Sequence, residues 1–185
     1  EGSVSVVDVS SGFGNASSAN AGFGGFDATD LRSKGVRIFG PDASAAQDLE
    51  PESVVASPDS QTAFVSLQEN NAIAILDISD TSNPTVDEVV PLGYKDHSLP
   101  GNELDAVDDG NIDIRNEPLF GMYQPDVIET AEIDGETYLV TASEGDAREY
   151  EELFETGVLS NEGTDTDPDF GIVIDDEDIS GGSAT

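Results

Sequence analysis

The stretch that decides the fold is residues 50–79, "EPESVVASPDSQTAFVSLQENNAIAILDIS". It contains three short runs rich in β-branched residues, at 52–57, 62–67 and 72–78, and such runs are typical of strands. Pro58 and its polar neighbours predict a turn between the first two runs, because proline presets φ and short polar side chains bond nearby backbone. "QENN" at 68–71 predicts a tight connection to the third run. The pattern therefore predicts consecutive antiparallel strands.

The same pattern returns further along the chain as "QPDVIETAEIDGETYLVTASEG", residues 124–145. Pro51-Glu52 matches Pro125-Asp126, and Thr62 matches Thr137 after a one-residue insertion. A unit of strand, turn, strand, tight loop and two further strands is typical of a β-propeller blade of roughly 40–45 residues. The spacing of the two copies exceeds one blade, which predicts an insertion at 93–122. The alternative is a plain antiparallel sandwich.

The remaining pattern is also dominated by strands, so the predicted class is all-β, with propeller-like blades of antiparallel strands and a loop-rich insertion. Two short helices are predicted, at 27–34 behind an Asp27 or Thr29 cap and at 146–153 behind Asp146. The predicted domains are a partial propeller at 1–160 and an acidic segment at 161–185, which is either a linker or an incomplete blade. Further strands are predicted at 4–9, 36–39, 86–90, 127–133, 137–142 and 171–174.

The repeated pattern makes a specific prediction about packing. Residues 62–67 and 137–142 should be central strands in separate antiparallel sheets. One of Phe64 and Val65, and one of Leu139 and Val140, should be buried between neighbouring sheets.

Charge is the strongest compositional signal. The 185 residues include 40 Asp and Glu against 6 Lys and Arg, for a net charge of −34. Such a chain repels itself in dilute buffer, whereas in molar salt the Debye length falls to about 3 Å and the penalty largely disappears. The acidic residues are spread through every segment, which predicts a salt-adapted protein.

The composition also excludes several classes of function. A nucleic-acid partner is excluded because phosphate binding needs clustered Lys and Arg. No apolar window is long enough to span a membrane. The absence of cysteine excludes thiolate catalysis, cysteine-based zinc sites and disulfides. The chain opens with a strand-like run, so we expect it to be part of a longer precursor.

Three longer stretches carry a resemblance to a known family. They are "GVRIFGPDASAAQDLEPESVVASPDSQTAFVSLQENNAIAILDIS" at 35–79, "PLGYKDHSLPGNELDA" at 91–106 and "GMYQPDVIETAEIDGETYLVTASEGDAREY" at 121–150. The chain resembles the choice-of-anchor I proteins of bacteria and archaea, which are similar to the mesenchyme-specific cell-surface glycoproteins of echinoderms. The resemblance covers roughly residues 1–150.

The resemblance implies a secreted or surface-anchored propeller of the seven-bladed type, of which about three blades are present. Some members of the family carry an alkaline-phosphatase-like label. Two departures are visible: Ser53 stands where the family pattern has an aromatic residue, and residues after Tyr150 depart from the pattern.

The predicted insertion contains the one histidine of the chain, His97, close to Lys95 in "LGYKDHSLPGN". A histidine can act as a general base or a metal ligand. No G-x-S-x-G nucleophile motif accompanies it. We therefore interpret this stretch as an ordered loop that contributes to binding and does not catalyse a reaction.

The insertion also contains an acidic run, "DAVDDGNIDI", at 105–114. Calcium prefers six to eight oxygen ligands in flexible geometry, and Gly110 would let the loop turn around an ion. The spacing is not that of an EF-hand. The candidate ligands for calcium are Asp105, Asp108, Asp109, Asn111 and Asp113.

A third candidate site lies where blade strands begin and end. Glu52 and Asp126 would present carboxylates at equivalent blade positions, and equivalent positions in a ring converge on its axis. Glu144, Asp146 and Arg148 follow a predicted strand at such an end. Together with His97 and Lys95 they form the predicted binding surface, at a channel mouth beneath the insertion.

Two functions follow from these observations. The first is a secreted or cell-surface propeller that binds an extracellular ligand or protein. The alternative is a metal-dependent phosphoesterase, which needs at least three well-placed ligands and an activated water or nucleophile. No such set stands out in the sequence, so the first is favoured.

Overall fold

The structure is a computed structural model that describes residues 1–144. The predicted helix at 146–153, the predicted strand at 171–174 and the acidic segment at 161–185 lie outside the described residues.

The described residues form ten strands and two short α-helices. The strands are β1 Ser3–Asp8, β2 Ser17–Gly22, β3 Val54–Ala56, β4 Thr62–Leu67, β5 Ala72–Asp77, β6 Thr85–Pro91, β7 Tyr94–Asp96, β8 Phe120–Met122, β9 Pro125–Ile133 and β10 Glu136–Ser143. The helices are α1 Ala28–Lys34 and α2 Ala45–Asp48, and a 3-10 turn lies at Phe13–Asn15.

Four separate antiparallel sheets result, and none of them closes on itself in this part of the chain. One has four strands in the order β3-β4-β5-β6, and the others are the pairs β1-β2, β7-β8 and β9-β10. The predicted all-β class with antiparallel strands is confirmed. The open sheets agree with a partial propeller.

The predicted turns are confirmed by backbone conformation. Ser60 and Asn71 have positive φ, of 58° and 50°, in the connections before and after β4. Asp134 and Gly135 have φ of 54° and 83°, as the two-residue turn of a twisted hairpin requires. α1 begins after Asp27, whose carboxylate accepts a hydrogen bond from the Asp30 amide at 2.8 Å.

The predicted central strands do lie in separate sheets, because β4 is inside the four-stranded sheet and β10 pairs with β9. Val65 is buried as predicted. The prediction is wrong for the second copy, where Leu139 is only half-buried and Val140 is 54% exposed. The difference arises because β10 has a strand partner on one side only within residues 1–144.

A β-bulge in the second hairpin occurs at one of the repeated acidic positions. Ala142 pairs with Val127 and Ser143 with Pro125, so the pairing skips Asp126. One extra residue on β9 changes the direction of the strand at this point. The bulge lies at the same end of the hairpin as the Pro125-Asp126 step, away from the Asp134-Gly135 turn.

The predicted strand at 36–39 is wrong, and two buried side chains explain why. Arg37 exchanges hydrogen bonds with Asn70, from its amide to the Asn70 carbonyl at 2.9 Å and from Asn70 Nδ2 to its carbonyl at 2.7 Å. The Asp48 carboxylate accepts from the amides of Phe39 and Gly40 at 2.8 and 2.9 Å. Side-chain and turn groups therefore take the place of a neighbouring strand.

The core lies between the four-stranded sheet, β2 and the two helices. β4 and β5 supply its centre, because Val65, Leu67 and Leu76 are almost entirely removed from solvent. Phe23, Leu31 and Leu49 cover them from the connecting segments and helices. Burying side chains of this size stabilises the fold by roughly 1.5–3 kcal/mol each before the entropy of ordering is counted.

Candidate functional site

The two repeated acidic steps meet at Ser66, near the end of β4. Ser66 is fully buried, and its hydroxyl accepts from the Ser53 amide at 3.0 Å and donates to the Asp126 carbonyl at 3.3 Å. The Glu52 amide donates to the Ser66 carbonyl at 3.1 Å. The carbonyl and the hydroxyl of Ser66 therefore hold the main chain at Glu52 and at Asp126 beside the end of β4.

Glu144 joins the same end through Gln124. The Gln124 carbonyl accepts from the Glu144 amide at 3.2 Å and from Gln68 Nε2 at 3.4 Å. Gln68 lies in the connection between β4 and β5, directly after the strand that carries Ser66. Three of the predicted binding residues, Glu52, Asp126 and Glu144, are thus attached to one buried polar framework.

Asn71 attaches the predicted insertion to this framework. Its side chain is fully buried, and Nδ2 donates to the Gly93 carbonyl at 2.8 Å. Oδ1 accepts from the amides of Tyr123 and Gln124 at 3.0 and 3.2 Å. One side chain therefore holds both ends of residues 93–122, which we call the arm.

The arm is a hairpin that is held together by hydrogen bonds between its own residues. β7 and β8 close its base, with Tyr94 opposite Met122 and Asp96 opposite Phe120. Leu104 and Arg115 form a further antiparallel bridge. None of the fully buried hydrophobic residues of the described chain comes from the arm.

His97 is part of the scaffold of the arm. Its ring Nδ1 lies 2.7 Å from the Asn102 carbonyl oxygen, and its amide donates to the Leu119 carbonyl at 3.0 Å. Gly121 leaves room for the ring, because a Cβ at that position would come within 2.9 Å of Nε2. The geometry agrees with the interpretation of this stretch as an ordered loop. Lys95 is exposed on the adjoining strand.

Several oxygens of the predicted calcium ligands accept hydrogen bonds or form ion pairs within the arm. Asp105 accepts from the Asp113 amide at 3.0 Å, and Asp109 accepts from the Asn111 amide at 2.9 Å. Asp113 also pairs with Arg115 at 2.6 Å. Asp108 is exposed beside Asp109. Within residues 1–144 no three His, Asp or Glu side chains are grouped so that they could hold a metal ion. Calcium binding by these residues stays a prediction.

The other predicted members of the site are only partly accounted for. The structure does not group the side chains of Glu52, Asp126, Glu144 and His97 into a metal-binding set among the described residues. Asp146 and Arg148 lie outside the described residues.

Several carboxylates with shifted pKa values lie in turns. A hydrogen bond from the Ser98 hydroxyl, followed by one from the Ser98 amide, lowers the pKa of Asp96. The same arrangement with Ser79 and Ser82 lowers the pKa values of Asp77 and Asp80. These aspartates accept from a residue two positions along, which is the geometry of an Asx turn. Their pKa shifts therefore report turn formation and do not mark a catalytic centre.

Sequence reasoning missed the residues that assemble this end. Ser66, Gln68, Asn70, Asn71 and Gln124 are all buried polar residues. Their stretches, such as "QENN", read as a surface connection. The available signal was the pair of adjacent asparagines, a residue type that tolerates positive φ and bonds to nearby backbone.

The described part of the chain is all-β, with open antiparallel sheets and a framework of buried amide and hydroxyl side chains beside the end of β4. The chain matches the choice-of-anchor I domain over residues 1–179 and therefore belongs to the choice-of-anchor I family. Among curated proteins and among solved structures, nothing matches it. The family identifies a cell-surface-associated domain.

The structure adds one observation on membranes. Within residues 1–144 no helix has the length and apolar character that crossing a bilayer requires.

Proposed function

We propose that this chain is an extracellular, non-enzymatic binding module that contacts its ligand or partner protein through one end of the molecule. That end, which we call the acidic end, is defined by Glu52, Asp126 and Glu144, and the arm is attached beside it. The observation that carries the proposal is the buried framework of Ser66 and Asn71, which fixes all of these elements together. A framework of this kind holds surface groups in place before a ligand arrives, which lowers the cost of binding.

The charge of the chain supports the proposal. Glu52 and Glu144 are exposed and Asp126 is half-buried, so these acidic residues are at least partly accessible to a ligand. With a net charge of −34, the molecule suits salt-rich surroundings in which repulsion is screened. We propose that it is salt-adapted and binds at or outside the cell surface.

The test measures saturable binding of fluorescently labelled protein to intact cells of the producing organism, in about 2 M KCl. The variant Glu52→Gln, Asp126→Asn, Glu144→Gln should weaken this binding by about tenfold or more, as loss of an interface centre does. The matched control is Glu132→Gln, Asp134→Asn, Glu136→Gln, which removes as many charges at the turn between β9 and β10. Equal weakening by both variants would mean that charge alone controls binding, and the proposal would be wrong.

The phosphoesterase alternative has its own experiment. Hydrolysis of p-nitrophenyl phosphate is followed with Ca²⁺, Mg²⁺ or Zn²⁺ added. Metal-dependent turnover that disappears in the Glu52, Asp126, Glu144 variant would overturn the non-enzymatic proposal.

A further inference from the structure

The two strands at the base of the arm leave an aromatic face open. Tyr94 is opposite Met122 and Asp96 is opposite Phe120 in the β7-β8 pairing. Side chains alternate along a strand and opposed residues share a face, so these four residues lie on one side of the ribbon. Phe120 is 70% exposed and Tyr94 is 49% exposed. We call this surface the aromatic face; it consists of Tyr94, Asp96, Phe120 and Met122.

The two basic residues of the arm, Lys95 and Arg115, are not available to cover the aromatic face with positive charge. Lys95 is opposite Gly121 and therefore lies on the other side of the ribbon. Arg115 is paired with Asp113 and Glu117. The charged group that does lie on the face is Asp96, which accepts hydrogen bonds from the Ser98 amide and hydroxyl at 2.9 and 2.6 Å. A fixed carboxylate therefore accompanies the aromatic rings, while Lys95 lies on the opposite side of the ribbon and Arg115 is engaged by two other carboxylates.

The geometry points to a docking surface for a cationic segment of a partner protein, with an arginine or lysine side chain over Phe120 or Tyr94 and within reach of Asp96. The electron-rich faces of aromatic rings attract cations, and arginine is the commonest partner. The chain makes one such contact itself, because the Arg37 guanidinium lies 5.1 Å from the centroid of the Phe39 ring. A net charge of −34 favours basic partners and rejects acidic ones.

Salt conditions determine which interaction gives specificity. In molar salt, long-range attraction between the acidic surface and a basic peptide is screened within about 3 Å. Contact of a guanidinium with an exposed ring, together with a neighbouring carboxylate, is short in range and survives. Binding that persists in molar salt and depends on the two rings is therefore the expected signature of the aromatic face.

The experiment uses the whole chain and two synthetic peptides in about 2 M KCl. One peptide is an oligomer of arginine. The other replaces each arginine with citrulline, which keeps the shape of the side chain and removes its charge. The variant is Tyr94→Ser with Phe120→Ser, and the control is Ile112→Ser with Ile114→Ser, which removes two other exposed apolar side chains of the arm. All four positions are exposed, and circular dichroism melts check that the variants fold.

We expect the Tyr94 and Phe120 variant to weaken binding of the arginine peptide by about tenfold, and the control variant to leave it unchanged. The citrulline peptide should bind the parent protein about tenfold more weakly. Equal affinity for the two peptides would assign the face to neutral ligands and overturn the inference. Equal effects of the two variants would do the same.

This inference rests on the proposed binding role, but its outcome is separate. The substitutions at Glu52, Asp126 and Glu144 leave the aromatic face intact. Loss of cell binding in that variant with an unchanged arginine-peptide affinity supports the acidic end as a second surface. If the Tyr94 and Phe120 variant binds the arginine peptide as the parent does while cell binding is intact, only the proposed role of the aromatic face is overturned.

Discussion

Replacing Asn71 with glycine should release the base of the arm while the four-stranded sheet stays folded. The substitution removes three hydrogen bonds, from Nδ2 to the Gly93 carbonyl and from the amides of Tyr123 and Gln124 to Oδ1. Each net hydrogen bond contributes about 1 kcal/mol, and a buried group left without a partner costs about 1–3 kcal/mol. The expected loss in the free energy of unfolding is therefore about 2–5 kcal/mol.

Glycine is the right substitution because it separates hydrogen bonding from backbone strain. Asn71 has φ of 50°, a conformation that glycine adopts freely. Alanine at the same position should cost about 1–2 kcal/mol more, because its Cβ is strained in the left-handed region. The difference between the two variants measures the strain, and the glycine variant alone measures the lost bonds.

Urea unfolding in about 2 M KCl gives the free energies, and hydrogen exchange gives the location of the change. Amides in the arm should exchange faster in the Asn71→Gly variant because the arm opens locally. Amides of β4 and β5 exchange through global unfolding, so their protection should fall only by the loss in the free energy of unfolding. Asn83→Gly is the control, because Asn83 is an exposed turn residue. A loss of less than about 0.5 kcal/mol in the glycine variant, comparable with a surface substitution, would refute the reasoning.

Three other predictions concern the solution conditions. The melting temperature should rise steeply between about 0.1 and 2 M KCl because screening removes repulsion among 40 acidic residues, and equal melting temperatures would contradict salt adaptation. Calorimetric titration in high-potassium buffer should show calcium binding that Asp108→Ala with Asp109→Ala abolishes; heat unchanged by the double variant would leave the cluster as surface acidity. In molar salt the stability should hold above pH 5 and fall as the pH drops below about 4, because hydrogen bonds in the folded state lower the pKa values of Asp59 and Asp96 from 3.8. A depressed pKa gives stability that is present above the unfolded value and is lost as the pH falls through the folded value, so stability that rises on acidification in molar salt would contradict the sign.

The strands of the core were predictable because their side chains match their surroundings. β4 and β5 carry β-branched and apolar residues that fill the core, and the turns around them use residues that tolerate positive φ. α1 was predictable from its Asp27 cap. In each case the local preference of the sequence agrees with the tertiary environment.

Two elements, β2 and α2, are absent from the sequence prediction for different reasons. β2 reads "SSANAG" and lacks the residues that favour strands, yet it pairs with β1 along its whole length and buries Ala21. Its strand conformation comes from tertiary pairing, which overrides propensity. α2 is different, because Gln47 Oε1 accepts from the Ser44 amide at 3.1 Å and its short S-x-x-Q signature was readable in the sequence.

The candidate site was harder to predict because neutral buried groups assemble it. Pro51-Glu52 and Pro125-Asp126 were visible as a repeat, and the structure brings both to Ser66. Nothing in a linear pattern distinguishes a serine or asparagine that joins distant segments from one that faces water. The partners of Asn71 lie more than twenty residues away along the chain, so only the folded structure reveals them.

The chemistry of this framework has a consequence for a protein with so much negative charge. The hydrogen bonds that assemble the acidic end join hydroxyl and amide side chains to main-chain atoms, as at Ser66 and Asn71. Neutral groups of this kind are insensitive to ionic strength, whereas repulsion among exposed carboxylates is not. The free-energy loss in Asn71→Gly should therefore be the same in dilute and molar salt. Neutralising Glu52, Asp126 and Glu144 should instead raise stability in dilute salt and change it little in molar salt. A salt-dependent Asn71 effect would mean that charge, and not the neutral framework, holds the arm in place.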